Sequence, residues 1–425
     1  MLRAEGKRYT SFMQDQSLPH YVGLDIGTST VRCVVGVPDH NDSTKPSVIG
    51  YGSAPNTGMR KGSVVYADDV AEAIAQAVTE AERLSGVRIH RATVNINGSH
   101  IVGINSKGVI AISAINRQIS EDDRYRVEEA ATIMQLPPNR EIVQVFAKNY
   151  RLDGQDNIKD PVGMQGVRLE VDTHIITAAG SNLRNLDTAL EKAQITPNSR
   201  TVSSLAAAEV VLTRQQKESG TALIDIGAGT TNLVVIEDGE IQHVAVLPIG
   251  GINITNDLAI GLKTDLDVAE KVKLEHAKLT ERTKKDRETI TVEIDKTEHT
   301  FKTSDIAMIT EARVDELMDY IEKELRKIQR SRKLPGGVVL VGGTANLPGI
   351  AEFTKEKLQL AARVGQLHGV SGLIDTVTNP TTFTAVGLML LDMLLLPDHS
   401  ERHTSSRANT KIFDSLSRFV RSARR

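Results

Sequence analysis

The stretch Thr221–Gly239, TALIDIGAGTTNLVVIEDG, decides the fold. An apolar run ends on Asp225, passes through Gly227-Ala228-Gly229-Thr230-Thr231 and returns as a second apolar run, which reads as a β-hairpin. Earlier in the chain Tyr21–Gly36, YVGLDIGTSTVRCVVG, does the same with Asp25, Gly27 and the hydroxyls of Thr28, Ser29 and Thr30. Glycine lets the backbone come close to a ligand, and a tight turn aims several N–H groups at one point, which suits a phosphate oxygen. A buried Asp beside such a turn suits Mg²⁺ held through its waters, because magnesium keeps much of its hydration shell. Either turn alone is more often a plain hairpin with a convenient glycine. Together, and with a further glycine pair at Val341-Gly342-Gly343-Thr344, they predict a two-sided grip on a triphosphate.

At 425 residues, 46.2 kDa and 40% hydrophobic residues the chain can bury two substantial cores, so two or more domains are expected. The lone Cys33 excludes an internal disulfide framework, fits a reducing compartment and reads as a small buried hydrophobe; there is no CxxC or His/Cys grouping for structural zinc. The polar start lacks the apolar core of a signal peptide, and residues 1–20 read as a mobile extension. The most apolar run, Ala385–Pro397, carries Asp392 and falls well short of the roughly 20 residues that span a bilayer, so a buried helix is expected. Net charge is −3, but Glu401–Arg425 carries seven basic and two acidic residues, a +5 tail on a −8 body. An acidic body disfavours nucleic acid and leaves the tail as the candidate for an anionic surface.

Strands and helices alternate along the rest, which defines an α/β protein. Asp68–Leu84, Ser120–Met134 with its SEDD start, Asn182–Ala193 and Ser304–Gln329 have helical spacing or helix-start signals. Ser47–Gly52, Arg91–Asn97, His100–Ile104, Glu141–Leu152, Val167–Ala179, Thr289–Ile294 and Thr297–Lys302 read as strands, and Gly154–Gly166 as a loop.

GLDIGTST, ALIDIGAGTTNLVV and VVLVGGTANLPG resemble the phosphate hairpins and adenosine motif of the actin, Hsp70 and sugar-kinase superfamily. NIKDPVGMQGVRL (Asn157–Leu169) resembles, within it, the FtsA family of bacterial cell-division proteins and separates it from actin and Hsp70. The resemblance covers roughly residues 20–396 and the tail. It implies an actin-like two-lobed ATPase fold with duplicated ribonuclease-H-like subdomains and an FtsA-type inserted subdomain. The implied division is a first lobe core at 21–102 with the return of 380–396, the insert at 103–180, a second lobe core at 181–252 and 334–379, and a small subdomain at 253–333.

Carried over by position, Gly27, Thr28, Ser29 and Thr30 form one phosphate loop and Gly227, Ala228, Gly229, Thr230 and Thr231 the other. Asp25 and Asp225 serve a hydrated Mg²⁺. Gly342, Gly343 and Thr344 pack on the adenosine of ATP, Glu270 and Lys273 fall where ribose and adenine are contacted, and Glu209 on Val202–Val210 is nominated to orient the attacking water. An ordinary solvated helix face competes for Glu270 and Lys273. Asn346 and Asn232 depart from the superfamily, standing where many relatives carry Arg and Asp.

Residues 397–409 read as a linker and 410–425 as an amphipathic helix. Ile412, Phe413, Leu416, Phe419 and Val420 fall within an arc of about 120°, with Arg418 and Arg421 opposite. This pattern lies in a membrane interface rather than crossing the bilayer. Five such side chains at about 1.5–3 kcal/mol each, less the cost of ordering the segment, give a reversible anchor that polymerisation would multiply.

The resemblance thus implies an ATP-binding protein, at most a weak ATPase, that self-associates on the cytoplasmic face of the membrane at the division site. Its implied partners are FtsZ and later division proteins. Within 253–333, the helix bearing Arg313 and Glu316 is the candidate surface for FtsZ, since both side chains would project from its polar side. The competing expectations are a pilus-assembly scaffold and a small-molecule kinase. A chaperone would need a further domain for which the tail is too short.

Overall fold

The computed structural model describes residues 19–40, 42–113, 116–280 and 288–395. Most of the N-terminal extension, the 397–409 linker and the 410–425 helix lie outside the described residues.

The first hairpin forms as its sequence requires. β1 (Tyr21–Ile26) and β2 (Thr30–Pro38) pair antiparallel, and β3 (Pro46–Pro55) extends the meander. A ribbon of β4 (Met59–Arg60) and β5 (Ser63–Val64) leads to α1 (Ala67–Ser85), which buries Val70, Ile74, Ala77 and Ala81 on one face at helical spacing. β6 (Arg91–Ile96) then lies parallel to β1.

The insert follows as β7 (Val102–Ala111), α2 (Glu121–Thr132), β8 (Arg140–Leu152), β9 (Gln155–Ile158) and β10 (Arg168–Ala179). α2 starts on a capping box in which Ser120 and Asp123 satisfy each other's backbone N–H, the physical content of SEDD. β9 corrects the reading of Gly154–Gly166 as a loop, since Tyr150 pairs with Ile158 and Leu152 with Gln155. The insert has its own small core, including Ile119, Val127, Leu169 and Val171.

α3 (Gly180–Lys192) returns to β11 (Thr196–Val202), which pairs parallel with β6. Residues 181–202 therefore belong to the first lobe, not the second, a correction to the boundary expected above. α4 (Ser203–Val211) and α5 (Arg214–Ser219) cross to the second lobe, where β12 (Thr221–Ile226), β13 (Thr231–Glu237) and β14 (Glu240–Leu247) form another antiparallel meander.

α6 (Gly251–Leu262), α7 (Leu266–His276), the hairpin β15 (Thr289–Ile294) and β16 (Thr297–Lys302), and α8 (Thr303–Lys327) make the small subdomain. β17 (Gly337–Val341) runs into the 3₁₀ turn Gly343–Asn346, then α9 (Ile350–Leu358) and β18 (Ala362–Val364). β19 (Ser371–Gly372) pairs parallel with β3, so the stretch from 371 also sits on the first lobe rather than the second. α10 (Ile374–Val377) and α11 (Phe383–Leu395) complete the described chain.

Strand order makes the duplication plain. One sheet runs β11-β6-β1-β2-β3-β19, and the other contains β18-β17-β12-β13-β14, an antiparallel meander followed by two parallel strands in each case. The registers repeat too: Asp25 faces Arg32 across its hairpin and Asp225 faces Asn232 across the other.

Between the lobes run α4 and α11. The two helices meet so closely that a Cβ on Gly387 would stand 1.9 Å from the carbonyl oxygen of Ala206. One hydrophobic core spans both lobes here, including Leu24 and Val34 of the first sheet, Leu205 and Leu388 of the helices, and Leu223 and Val339 of the second sheet. Asp392, the one acid of this apolar helix, is 2% exposed and accepts from the Val22 N–H at 2.9 Å, Thr93 Oγ1 at 2.7 Å and Asn198 Nδ2 at 2.9 Å. It fastens α11 to β1, β6 and β11, which explains why a charge tolerates that setting.

The insert's sheet joins the second lobe's sheet to make nine strands, although its chain connections run to β6 and α3. At the seam, one backbone pair, Val102 with Ala245, links β7 to β14, and the Val244 N–H donates 3.1 Å to His174 Nε2. His174 Nδ1 therefore carries the proton and donates 2.9 Å to Asn105 Oδ1, and burial pushes its pKa down to about 3. Lys159 adds an ion pair with Glu218 at 3.3 Å and a 2.6 Å bond to the Asp238 carbonyl.

Candidate functional site

The two glycine turns close in the same way: Gly27 N–H donates 3.1 Å to the Thr30 carbonyl, and Gly227 N–H donates 2.9 Å to the Thr230 carbonyl. They face each other tip to tip, since a Cβ on Gly229 would come within 2.8 Å of the Thr28 side chain. The backbone N–H groups of Thr28, Ser29, Ala228 and Gly229 have no protein acceptor among the described residues. Supports hold each turn from behind. Asn56 Nδ2 donates 2.7 Å to the Gly27 carbonyl, and the Gly251 and Ile252 N–H groups donate to the Gly227 and Ala228 carbonyls at 2.9 and 2.8 Å. Those bonds also occupy the N-terminus of α6.

Asp25 and Asp225 end their strands beside these turns, each 8% exposed. Burial pushes the Asp25 carboxyl up to about 6 against the pull of Arg32. Burial, and then the Asp25 carboxylate beside it, pushes Asp225 up to about 7, with Thr384 and Arg32 opposing. Next to Asp225, the buried Oδ1 of Asn232 has no hydrogen-bond partner. Two under-compensated carboxylates and an orphaned amide oxygen fit a hydrated dication. Among the described residues no group of three or more His, Cys, Asp or Glu is placed to hold a metal ion.

Gly342 lies against Asp225: its φ is +86°, and a Cβ there would be 2.4 Å from Asp225 Oδ1. Gly343 opens the 3₁₀ turn, and Thr344 Oγ1 comes within 2.8 Å of where a Gly251 Cβ would be. Lys273 Nζ reaches the same place, donating 3.3 Å to the Gly251 carbonyl, 2.8 Å to Thr255 Oγ1 and 2.6 Å to Glu270 Oε2. Glu270, Lys273 and Thr344 are thus brought together beside the second turn.

Glu209 is not. Its carboxylate pairs with Lys217 of α5 at 2.9 Å, both side chains buried. The α4 residue that reaches the Asp25 network is Ser203, whose Oγ accepts from Asn95 Nδ2 at 3.1 Å. Glu209→Gln is expected to leave nucleotide affinity unchanged while costing about 3 kcal/mol in denaturant unfolding, because Lys217 loses its counter-charge. Arg313 also differs from expectation. Instead of projecting outward it turns to α6, bonding Asp257 through Nε and, at 2.9 Å, Nη2, with Glu316 on its other side.

Sequence reasoning missed Asn56, Asn95, Thr255 and Thr384. Asn95 left one signal, a polar residue inside the apolar strand RATVNI.

Two facing lobes of repeated topology with paired hairpin turns define an actin-like fold. Solved structures agree: the chain matches the PilM-PilN type IV pilus biogenesis complex with TM-score 0.63 at 17% identity, covering 88% of this chain and 98% of that one. MreB5 of Spiroplasma citri bound to ADP matches with TM-score 0.51 at 13% identity, covering 87% and 94%. The family model of cell division protein FtsA matches residues 222–387, and that of the SHS2 domain inserted in FtsA matches residues 98–177. Cell division protein FtsA of Pseudomonas aeruginosa is 34% identical over 95% of this chain and 98% of its own length, and that of Bacillus subtilis 38% over 87% and 82%. The chain belongs to the FtsA family of cell-division proteins.

Proposed function

We propose that this chain binds Mg-ATP between its lobes, self-associates, and tethers the FtsZ ring to the cytoplasmic membrane at the division site, helping to recruit later division proteins. The observation that carries the nucleotide reading is the tip-to-tip pair of glycine turns flanked by the buried acids Asp25 and Asp225. Asp25, Asp225 and the Asn232 amide oxygen would hold the cation's waters. Thr28, Ser29, Ala228 and Gly229 would offer backbone N–H groups to phosphate, and Thr344, Glu270 and Lys273 would border the nucleoside. Mg²⁺ supplies charge neutralisation for the phosphates. Glu209 is engaged elsewhere and Ser203 is neutral, so any hydrolysis lacks a carboxylate base from α4 and should be slow.

The membrane reading rests on the 410–425 sequence pattern. Among the described residues no helix is long and apolar enough to cross a membrane. Phe413→Glu or Phe419→Glu is expected to release the protein from anionic liposomes, and retention of both variants would sink the anchor. For FtsZ contact, Glu316, Asp319 and Tyr320 of α8 remain exposed, whereas Arg313 is committed to Asp257.

Liposome co-sedimentation of the chain with FtsZ, with and without ATP and the last fifteen or so residues, tests the whole. FtsZ should pellet with liposomes only when chain and tail are both present. Pelleting without the tail would overturn the tether.

A further inference from the structure

We infer that Asn95 is a positioning residue for the nucleotide-linked cation, fixing Asp25 so that one chosen carboxylate oxygen is left to face it. The inference rests on the nucleotide reading above.

Asn95 is 2% exposed, and its amide is fully engaged. Oδ1 accepts the Ile26 N–H at 2.7 Å, while Nδ2 donates to Asp25 Oδ1 at 2.7 Å and Ser203 Oγ at 3.1 Å. The Ile26 bond sets the amide's sense, because a flipped amide would put NH₂ against a backbone N–H. Nδ2 must therefore point at Asp25, and Oδ2 is the oxygen left over.

The repeat within the fold shows that this arrangement is not needed to build the sheet. Leu24 pairs with Val94 across β1 and β6, which places Asp25 level with Asn95. In the second lobe Asp225 pairs with Val341, an apolar residue, and its own side-chain donor is Thr384 at 3.4 Å. The same strand crossing is thus made once with valine and once with asparagine. The difference is what happens to the acid: Asp25 is held by a short bond, and Asp225 by a long one. One fixed and one adjustable carboxylate suit a cation bound through waters, where the fixed acid defines the ion's place.

Asn95→Val copies the second lobe, and Asn95→Ala removes the donor to Asp25 without placing another carboxyl beside it. ATP affinity is measured by fluorescent-nucleotide displacement in EDTA and in MgCl₂, and the ratio of the two dissociation constants is the readout. In both variants the Mg²⁺-dependent tightening should fall about tenfold, with affinity in EDTA little changed. Glu209→Gln, whose side chain is turned to Lys217, should keep the wild-type ratio. A purely structural asparagine would weaken both conditions together and leave the ratio intact, which overturns the inference, as would an equal loss in Glu209→Gln. If Asn95→Val does not fold, Asn95→Ala decides. A wild-type protein showing no Mg²⁺-dependent tightening would instead bring down the nucleotide reading itself.

Discussion

Gly387→Ala is expected to destabilise the protein by about 3 kcal/mol or abolish soluble expression. The added methyl would meet the Ala206 carbonyl carbon at 2.4 Å and its oxygen at 1.9 Å, and neither atom belongs to a side chain that could swing aside. α4 and α11 would have to part, and both are buried almost throughout. Parting them opens the core shared by the lobes and pulls on Asp392, whose bonds to Val22, Thr93 and Asn198 fasten α11 to the first sheet. Denaturant midpoints measure the loss, and fluorescent-nucleotide titration should show weakened binding in whatever remains folded, since Thr384 of α11 touches Asp225. A wild-type midpoint would mean that the helices do not meet at this crossing.

Asp225→Asn is expected to lower Mg-ATP affinity about 100-fold and, in the absence of nucleotide and metal, to raise the melting temperature at neutral pH. The two effects share one cause. Asp25 and Asp225 hold their protons up to about 6 and about 7, above the ordinary carboxyl value of 3.8. The folded state therefore binds protons more tightly than the unfolded chain does. That contribution is fully present below about pH 4 and is lost as pH rises through 6 and 7. Metal-free wild type should lose stability on going from pH 5 to pH 8, and Asp225→Asn should lose less. Mg-ATP should offset the loss, and its affinity should fall as pH drops from 8 toward 5.5, where protons compete with the cation. Melting curves across that range check the sign. A metal-free protein that grows more stable as pH rises would contradict the buried acid pair.

Much of this was written locally. The alternation of apolar residues around DIGTST and DIGAGTT set both hairpins and placed Asp25 and Asp225 at matching positions in their registers. SEDD gave the start of α2, and the boundaries of the β15–β16 hairpin follow from its own alternation. What failed was long-range. Nothing near β11 says that it will lie beside β6, so residues 181–202 read as the start of the second lobe. Glu209 failed for a related reason: a helix drawn from sequence does not say which end meets the cleft, and here that end bears Ser203. Arg313 looked like surface because its partner Asp257 lies on a different helix. Asn95 was overlooked because its meaning comes from residues far along the chain, the adjacent Asp25 and Ile26 on one side and Ser203 on the other.

The seam between the insert and the second lobe has a mechanical meaning. The insert is a lever whose fulcrum is the pair of chain crossings near residues 97–101 and 179–180, on the first lobe, while its flank is pinned to the second lobe by Val102, His174 and Lys159. A lever so mounted cannot ignore its load. Any swing of one lobe against the other must either drag the insert along with β14 or open the buried core that Val145, Phe146, Ile175 and Ile176 share with β13 and β14.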